Sequence, residues 1–231
     1  MTASGAGLYL YAFVAPGRDP ALPPGLRGDV VRALRGDGVT ALVSPVDGHL
    51  KACTEDLATH GAVCDAALGH GSLVPVRFGM ILAHEEAVRD LMGRHSAVLR
   101  ETLGRLEGLV ELGLTVLDAS GSGTEEREPE TGLAYLRRLS GMQEDPDIAD
   151  LHARAKALSA DSRVRPGGPG PVLFKAAYLV ARARVPALQQ QVTDAPALAR
   201  GWSVCLTGPW PAYHFIPDDL LAHARLGALI Q

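Results

Sequence analysis

The sequence predicts an α+β fold in two domains, residues 1–107 and 108–231, divided near Gly108. Three observations predict it. Strand-type segments alternate with helix-type segments along the chain. The 26 glycines and 16 prolines among 231 residues exceed average usage of roughly 12%, which calls for many short elements joined by turns. From residue 109 onward the strand and helix segments follow a β-α-β-α-β order, compatible with a ferredoxin-like unit.

Each element has its own signal. Leu8-Tyr9-Leu10-Tyr11-Ala12-Phe13-Val14 is apolar and rich in strand formers, and Pro16 and Gly17 stop it. Residues 26–35 fit a short helix, with Leu26, Val30 or Val31, and Leu34 at helical spacing. Residues 40–46 read as a strand. Thr54 caps a helix running to about Leu68, whose face holds Leu57, Gly61, Cys64 and Leu68. Gly61 inside that face costs about 1 kcal/mol against alanine, which points to tight packing there. Residues 73–78 form a short extended segment, kept to a sheet edge by Pro75.

Residues 83–106 make the most regular helix, with Val88, Leu91, His95, Val98, Leu99, Thr102 and Leu106 in one stripe. A strand follows over 109–117, with Val110, Leu112, Leu114 and Val116 on one side. Residues 119–128 and 165–171 read as loops. Helices are expected over 131–142 and 146–158, with Pro146 breaking one from the other. Residues 172–181 form a strand, Pro186 opens a helix, residues 202–207 form a strand and residues 220–230 a terminal helix.

Composition narrows the function. Lysine and arginine total 22 against 26 acidic residues, a net charge of −4, which argues against a nucleic-acid surface. No apolar run approaches the roughly 20 residues of a spanning helix. Residues 1–17 carry no charged side chain, but they lack the basic start of a signal peptide and read as the first strand. Cys53, Cys64 and Cys205 are an odd set without a C-x-x-C pair, best read as buried thiols in a reducing cytoplasm.

The search for chemistry finds no catalytic or metal-binding pattern. The eight histidines are scattered, without H-E-x-x-H spacing. No G-x-S-x-G elbow, phosphate-binding loop or dinucleotide fingerprint occurs. No catalytic residue, cofactor or metal site is therefore assigned.

Two segments stand apart. Pro75-Val76-Arg77-Phe78-Gly79 sets an arginine among apolar residues, where burial would oblige it to find acceptors. Leu206-Thr207-Gly208-Pro209-Trp210-Pro211-Ala212-Tyr213-His214-Phe215 packs three aromatic rings behind stiffening prolines, either to cap a sheet or to form an adhesive surface. Capping is the favoured reading.

These two segments resemble the signature stretches of the gas vesicle protein L/F family. That family shows a P-[VL]-R-F-G-T run before a helix and an L-T-G-P-W-P-P-Y-x-F run near the C-terminus. Leu10-Tyr11-Ala12-Phe13-Val14, Ala41-Leu42-Val43-Ser44 and Ala176-Ala177-Tyr178-Leu179-Val180 also fit, in order along the chain. Met80 replaces the family's usual threonine and Ala212 its usual proline, and the stretch between His49 and Leu68 is shorter than usual.

The resemblance implies an accessory or minor structural protein of gas vesicles, with two α+β domains, the second a modified ferredoxin-like unit. It implies no enzymatic activity and no cofactor. The implied partners are the small apolar shell protein, whose assembly it would assist, and other gas vesicle accessory proteins, with neither nucleic acid nor membrane. Arg77, Phe78, Trp210, Tyr213 and Phe215 are the candidate partner-binding or inter-domain residues. The competing class is a small-molecule oxygenase or hydrolase on a ferredoxin-like scaffold.

Overall fold

Eight consecutive residues without charge, Gly7–Val14, form strand β1, and all eight are buried. A strand reads as an unbroken apolar run when both faces are covered. In this computed structural model, which describes residues 7–17, 21–36, 38–47, 50, 52–118, 145–166, 172–195, 201–217 and 220, β1 lies inside a five-stranded sheet. Around it stand β2 (Arg32–Gly36), β3 (Val39–Val46), β4 (Leu73–Pro75) and β5 (Ile81–Leu82). The order is β2-β3-β1-β4, with β5 also paired to β1. Helices α1 (Thr54–Gly69) and α2 (Glu85–Arg105) pack on this sheet.

Two compact units emerge, one comprising Met1–Leu109 with Pro211–Gln231, the other Val110–Trp210. The sequence reading assigns everything after residue 107 to a second domain; here the residues from Pro211 group with the first unit.

The second unit holds β6 (Leu109–Asp118, its first residue in unit one), α3 (Pro146–Ala157), β7 (Ser159–Val164), β8 (Val172–Ala181), α4 (Val185–Thr193) and β9 (Trp202–Trp210). Its sheet runs β7-β8-β6-β9. Leu112, Leu114 and Val116 of β6 join Phe174, Ala176 and Tyr178 of β8, with Ile148, Leu151 and Leu188 from the helices, in one core. The period-2 pattern of β6 and β8 therefore marks the face that the helices cover. Pro146 starts α3, with Asp145 as its N-cap accepting from the Asp147 amide at 3.1 Å.

Three elements depart from the sequence reading. Residues 26–35 are not one helix: a 3-10 turn at Leu26–Gly28 leads into β2. The apolar spacing that mimics a helix comes from a turn and a strand in which only Leu34 is buried. Gly36 pairs with Val39 where β2 and β3 adjoin, and Gly38 has φ +78°. Strand β7 has no counterpart in the reading, because its residues SADSRV offer no apolar alternation. Finally, β9 continues three residues beyond 207, through a shift of register opposite Glu111. Gly208 is required there: at φ +113°, a Cβ would stand 2.7 Å from the Glu111 carbonyl.

Smaller corrections concern α1 and the cysteines. Leu57 is 48% exposed, and the buried face is His60, Val63, Cys64, Ala67 and Leu68. A Cβ on Gly61 would meet nothing within 4 Å, so that glycine is not a tight contact. Only Cys64 is buried; Cys53 and Cys205 are exposed. Cys53, not Thr54, is the N-cap of α1, its Sγ accepting from the Asp56 amide at 3.4 Å, and Thr54 is the first helical residue. The expected helix over 131–142, the loop over 119–128 and all but Leu220 of the expected helix over 220–230 lie outside the described residues.

Candidate functional site

Both signature segments contribute to one buried cluster in the first unit, centred on His60 of α1. Tyr9 and Tyr11 point to the same side of β1, their ring centroids 4.7 Å apart. The Tyr9 hydroxyl lies 2.8 Å from His60 Nδ1 and accepts from the Gly79 amide at 3.2 Å. His60 Nε2 lies 3.2 Å from the Tyr213 hydroxyl and 3.6 Å from Cys64 Sγ. The Phe78 ring sits 5.9 Å from both Tyr9 and His60.

A neutral imidazole carries its proton on one ring nitrogen and presents the other as an acceptor, so the tautomer of His60 sets the direction of its contacts with the Tyr9 and Tyr213 hydroxyls. Neighbouring groups extend the set: Tyr11 accepts from the Leu26 amide at 2.8 Å and lies 2.9 Å from Ser44 Oγ. A register shift of β1 against β3 between Leu10 and Ala12 isolates Tyr11 at an irregularity, a device that re-aims a side chain.

The electrostatics keep every member neutral. His60 is 4% exposed, and burial pushes its imidazole down to about 4. Burial pushes the Cys64 thiol up to about 12 and raises the Tyr9 and Tyr213 phenols above their ordinary value. An imidazole this hard to protonate is a weak base, and a thiol this hard to ionise a weak nucleophile. The chemistry available here is hydrogen bonding that ties α1, β1, the turn after β4 and the segment after Trp210 together.

The five sequence-nominated residues separate. Phe78 and Tyr213 line the His60 cluster. Phe215 is fully buried in the first unit, and its carbonyl accepts from Arg105. Arg77, nominated as a buried arginine, is exposed: Val76 on one side of the extended chain is buried and Arg77 faces the other way. Trp210 ends β9 in the second unit and is 44% exposed. The aromatic segment thus turns its Tyr213 and Phe215 end inward and keeps its tryptophan at the surface.

Sequence reasoning missed His60, Tyr9, Tyr11 and Cys64 as a group. The available signal was the pair of tyrosines two residues apart in an otherwise apolar strand, since buried hydroxyls need partners. It also missed a second pair, His152 of α3 with its Nδ1 2.7 Å from the Tyr178 hydroxyl. Burial, with Lys156 nearby, lowers the His152 imidazole. His84 is the N-cap of α2, its Nδ1 accepting from the Ala87 amide at 3.2 Å. Among the described residues no group of three His, Cys, Asp or Glu is placed to hold a metal ion, and no helix is long and apolar enough to cross a membrane.

Fold and site together define an α+β protein of two compact units whose two signature segments meet in a closed, neutral hydrogen-bonded cluster. The chain belongs to the gas vesicle synthesis protein GvpL/GvpF family, whose model matches residues 7–217. It is 31% identical to gas vesicle protein L of Streptomyces sp. (strain CB03234), over 90% of this chain and 91% of that one. It is 27% identical to gas vesicle protein F1 of Halobacterium salinarum, over 82% of each chain. The crystal structure of GvpF from an Anabaena species matches the fold with a TM-score of 0.76 at 22% identity, covering 92% of this chain and 97% of that one. GvpF from Microcystis aeruginosa matches with a TM-score of 0.73 at 20% identity, covering 91% and 99%. The α+β class and the family resemblance are thereby established, and relatives named as gas vesicle proteins do not favour the oxygenase or hydrolase alternative.

Proposed function

We propose that this chain assists gas vesicle assembly by covering apolar surface on the vesicle's shell subunit until that subunit joins the growing shell. The observation that carries the reading is membership of the GvpL/GvpF family along nearly the whole chain, residues 7–217. The physical need is general: a small, very apolar subunit aggregates unless its surface is covered before it polymerises. Work at the vesicle, with the shell subunit and other accessory proteins as partners and neither membrane nor nucleic acid involved, follows from the same reading. So does the absence of a reaction centre.

The units correspond in this reading to two α+β domains. The β-α-β-β-α-β order of the second, with β6, α3, β7, β8, α4 and β9 in sequence, supports a modified ferredoxin-like unit. Phe78, Tyr213 and Phe215 serve as scaffold residues, in keeping with their burial or their place against His60. Arg77 and Trp210, both exposed, remain the candidates for partner contact. Affinity capture of purified shell subunit by the full chain tests the function. Retention of the subunit in soluble form is expected; a chain that neither retains it nor prevents its precipitation overturns the reading.

A further inference from the structure

We propose that the segment Pro211–Ile216 is an acid-released strap over His60, closed while the imidazole is neutral and lifted when it takes a proton, with the rest of the first unit still folded. The switch lies within the first unit and needs no partner. The segment follows Trp210 directly and groups with that unit. Its backbone makes a short 3-10 turn, Tyr213–Phe215. The Tyr213 amide donates to the Pro211 carbonyl at 2.7 Å and the Phe215 amide to the Ala212 carbonyl at 3.1 Å, bonds that stay inside the segment. Side chains fasten it to the unit. Ala212, Phe215 and Ile216 are buried, Arg105 donates to the Phe215 carbonyl, and Tyr213 meets His60. A segment held by side chains outside any sheet ladder is the kind of element that opens locally.

The two sides of the imidazole differ. Nδ1 faces the Tyr9 hydroxyl at 2.8 Å in a buried contact, whereas Nε2 meets the Tyr213 hydroxyl at 3.2 Å in a part-buried one. Tyr213 and His214 are half-buried, while Tyr9 is fully buried. The route from water to the ring therefore runs past Tyr213. Cys64 Sγ lies 3.6 Å from the same nitrogen, so lifting Tyr213 uncovers the thiol as well.

A proton on His60 lacks an ionic partner in the closed cluster. An imidazolium donates from both nitrogens. The ring's neighbours are Tyr9 and Tyr11 of β1, Cys64 of α1, Phe78 after β4 and Tyr213 of the strap. The Tyr9 hydroxyl already accepts from the Gly79 amide. The carboxylates that act on this set are Asp56 and Asp65 of α1, through Tyr9, Cys64 and Tyr213, and Asp29, through Tyr11. The ring's own hydrogen-bond partners are Tyr9, Tyr213 and Cys64, none of them a carboxylate. The Val76 carbonyl favours the charge, but burial outweighs it. On the strap's side stand Arg105, a cation, and His214, the strap's other titratable side chain besides Tyr213. A buried charge without compensation is costly. Lifting Tyr213 gives the imidazolium water at Nε2 while Tyr9 and Tyr11 stay in their strand.

Amide hydrogen exchange on the full chain between pH 7 and pH 4, corrected for the pH dependence of intrinsic exchange, tests the strap. Protection of residues 213–216 is expected to fall at least tenfold more than that of residues 8–14 in β1. The His60 ring resonance should titrate with the same midpoint as that loss. His60→Gln, which keeps a neutral hydrogen-bonding side chain, is expected to abolish the pH dependence, and His214→Gln to retain it. In C53S/C205S the one remaining thiol is Cys64. A pyridyl disulfide, which reacts with thiols in acid, is expected to label it at pH 4 at least tenfold faster than global unfolding allows. This arm keeps His60 in place and decides the matter should His60→Gln fail to fold. Equal loss of protection in β1 and the strap, a strap indifferent to pH, or separate midpoints for ring and strap overturns the proposal. So does a pH dependence that survives His60→Gln or vanishes in His214→Gln, or labelling of Cys64 at pH 4 no faster than global unfolding.

Discussion

Strands β1 and β9 are both long and both uncharged, yet they lie in opposite surroundings. All eight residues of Gly7–Val14 are buried in the first unit's sheet, whereas six of the nine in Trp202–Trp210 are exposed at the edge of the second unit's sheet. The same composition means core in one place and open edge in the other. What separates them is what lies alongside: β1 has strand neighbours on both sides and is tied into the His60 cluster, while β9 has one strand neighbour among the described residues. Absence of charge reports that a strand avoids ions, not that it avoids water.

The sharpest way to break this comparison is truncation at the two ends of the aromatic segment. Phe215→Ala removes a fully buried ring from the first unit and is expected to destabilise it by about 3–5 kcal/mol. Trp210→Ala, at a 44% exposed position, is expected to cost less than about 1 kcal/mol. Denaturant titrations of both variants decide it; equal costs would erase the distinction between an inward and an outward end.

The next effect comes from His60. Its imidazole titrates at about 4 in the folded chain against 6.5 ordinarily, so between those values the unfolded chain binds more protons. Stability is then full above about pH 6.5, falls as the pH drops toward 4 and levels off below it. The depression amounts to about 3 kcal/mol by linkage. Denaturation midpoints between pH 7 and pH 4 measure it, and His60→Gln should flatten that dependence. A slope unchanged in the variant would remove His60 from the account.

Smaller effects sharpen the picture. Gly61→Ala on α1 meets open space and should stabilise by about 0.5–1 kcal/mol; a lower thermal midpoint would mean that the helix face is closer-packed than described. Smallest in energy is a labelling experiment. Exposed Cys53 and Cys205 should react with a thiol reagent at neutral pH, while Cys64, buried and with its thiol pushed up to about 12, should react only after unfolding. Three fast thiols would contradict the buried cluster.

Much of the fold was legible because its periodicities are strong. The continuous run of β1, the alternation of β6 and β8 and the stripe of α2 each follow from one covered face or two. Strand β2 was not legible, since a 3-10 turn followed by a strand reproduced the spacing of Leu26, Val30 or Val31, and Leu34. Strand β7 was illegible because an edge strand with polar residues toward solvent has no pattern to read. The site was legible as two unusual segments but not as a cluster. His60 meets Tyr9 from 51 residues away and Tyr213 from 153, and no local pattern encodes such partners. The exposure of Arg77 was not legible, because apolar neighbours in an extended chain say little about the residue between them.

Unit one holds β1 from Gly7 and is completed only by the stretch from Pro211, with all of Val110–Trp210 between them. During synthesis the second unit's last strand therefore leaves the ribosome before Tyr213 and Phe215 exist. A nascent chain halted at Trp210 holds His60 without its Tyr213 partner and the first unit without its Phe215 ring, so the first unit's core closes only after the whole of Val110–Trp210 has been made.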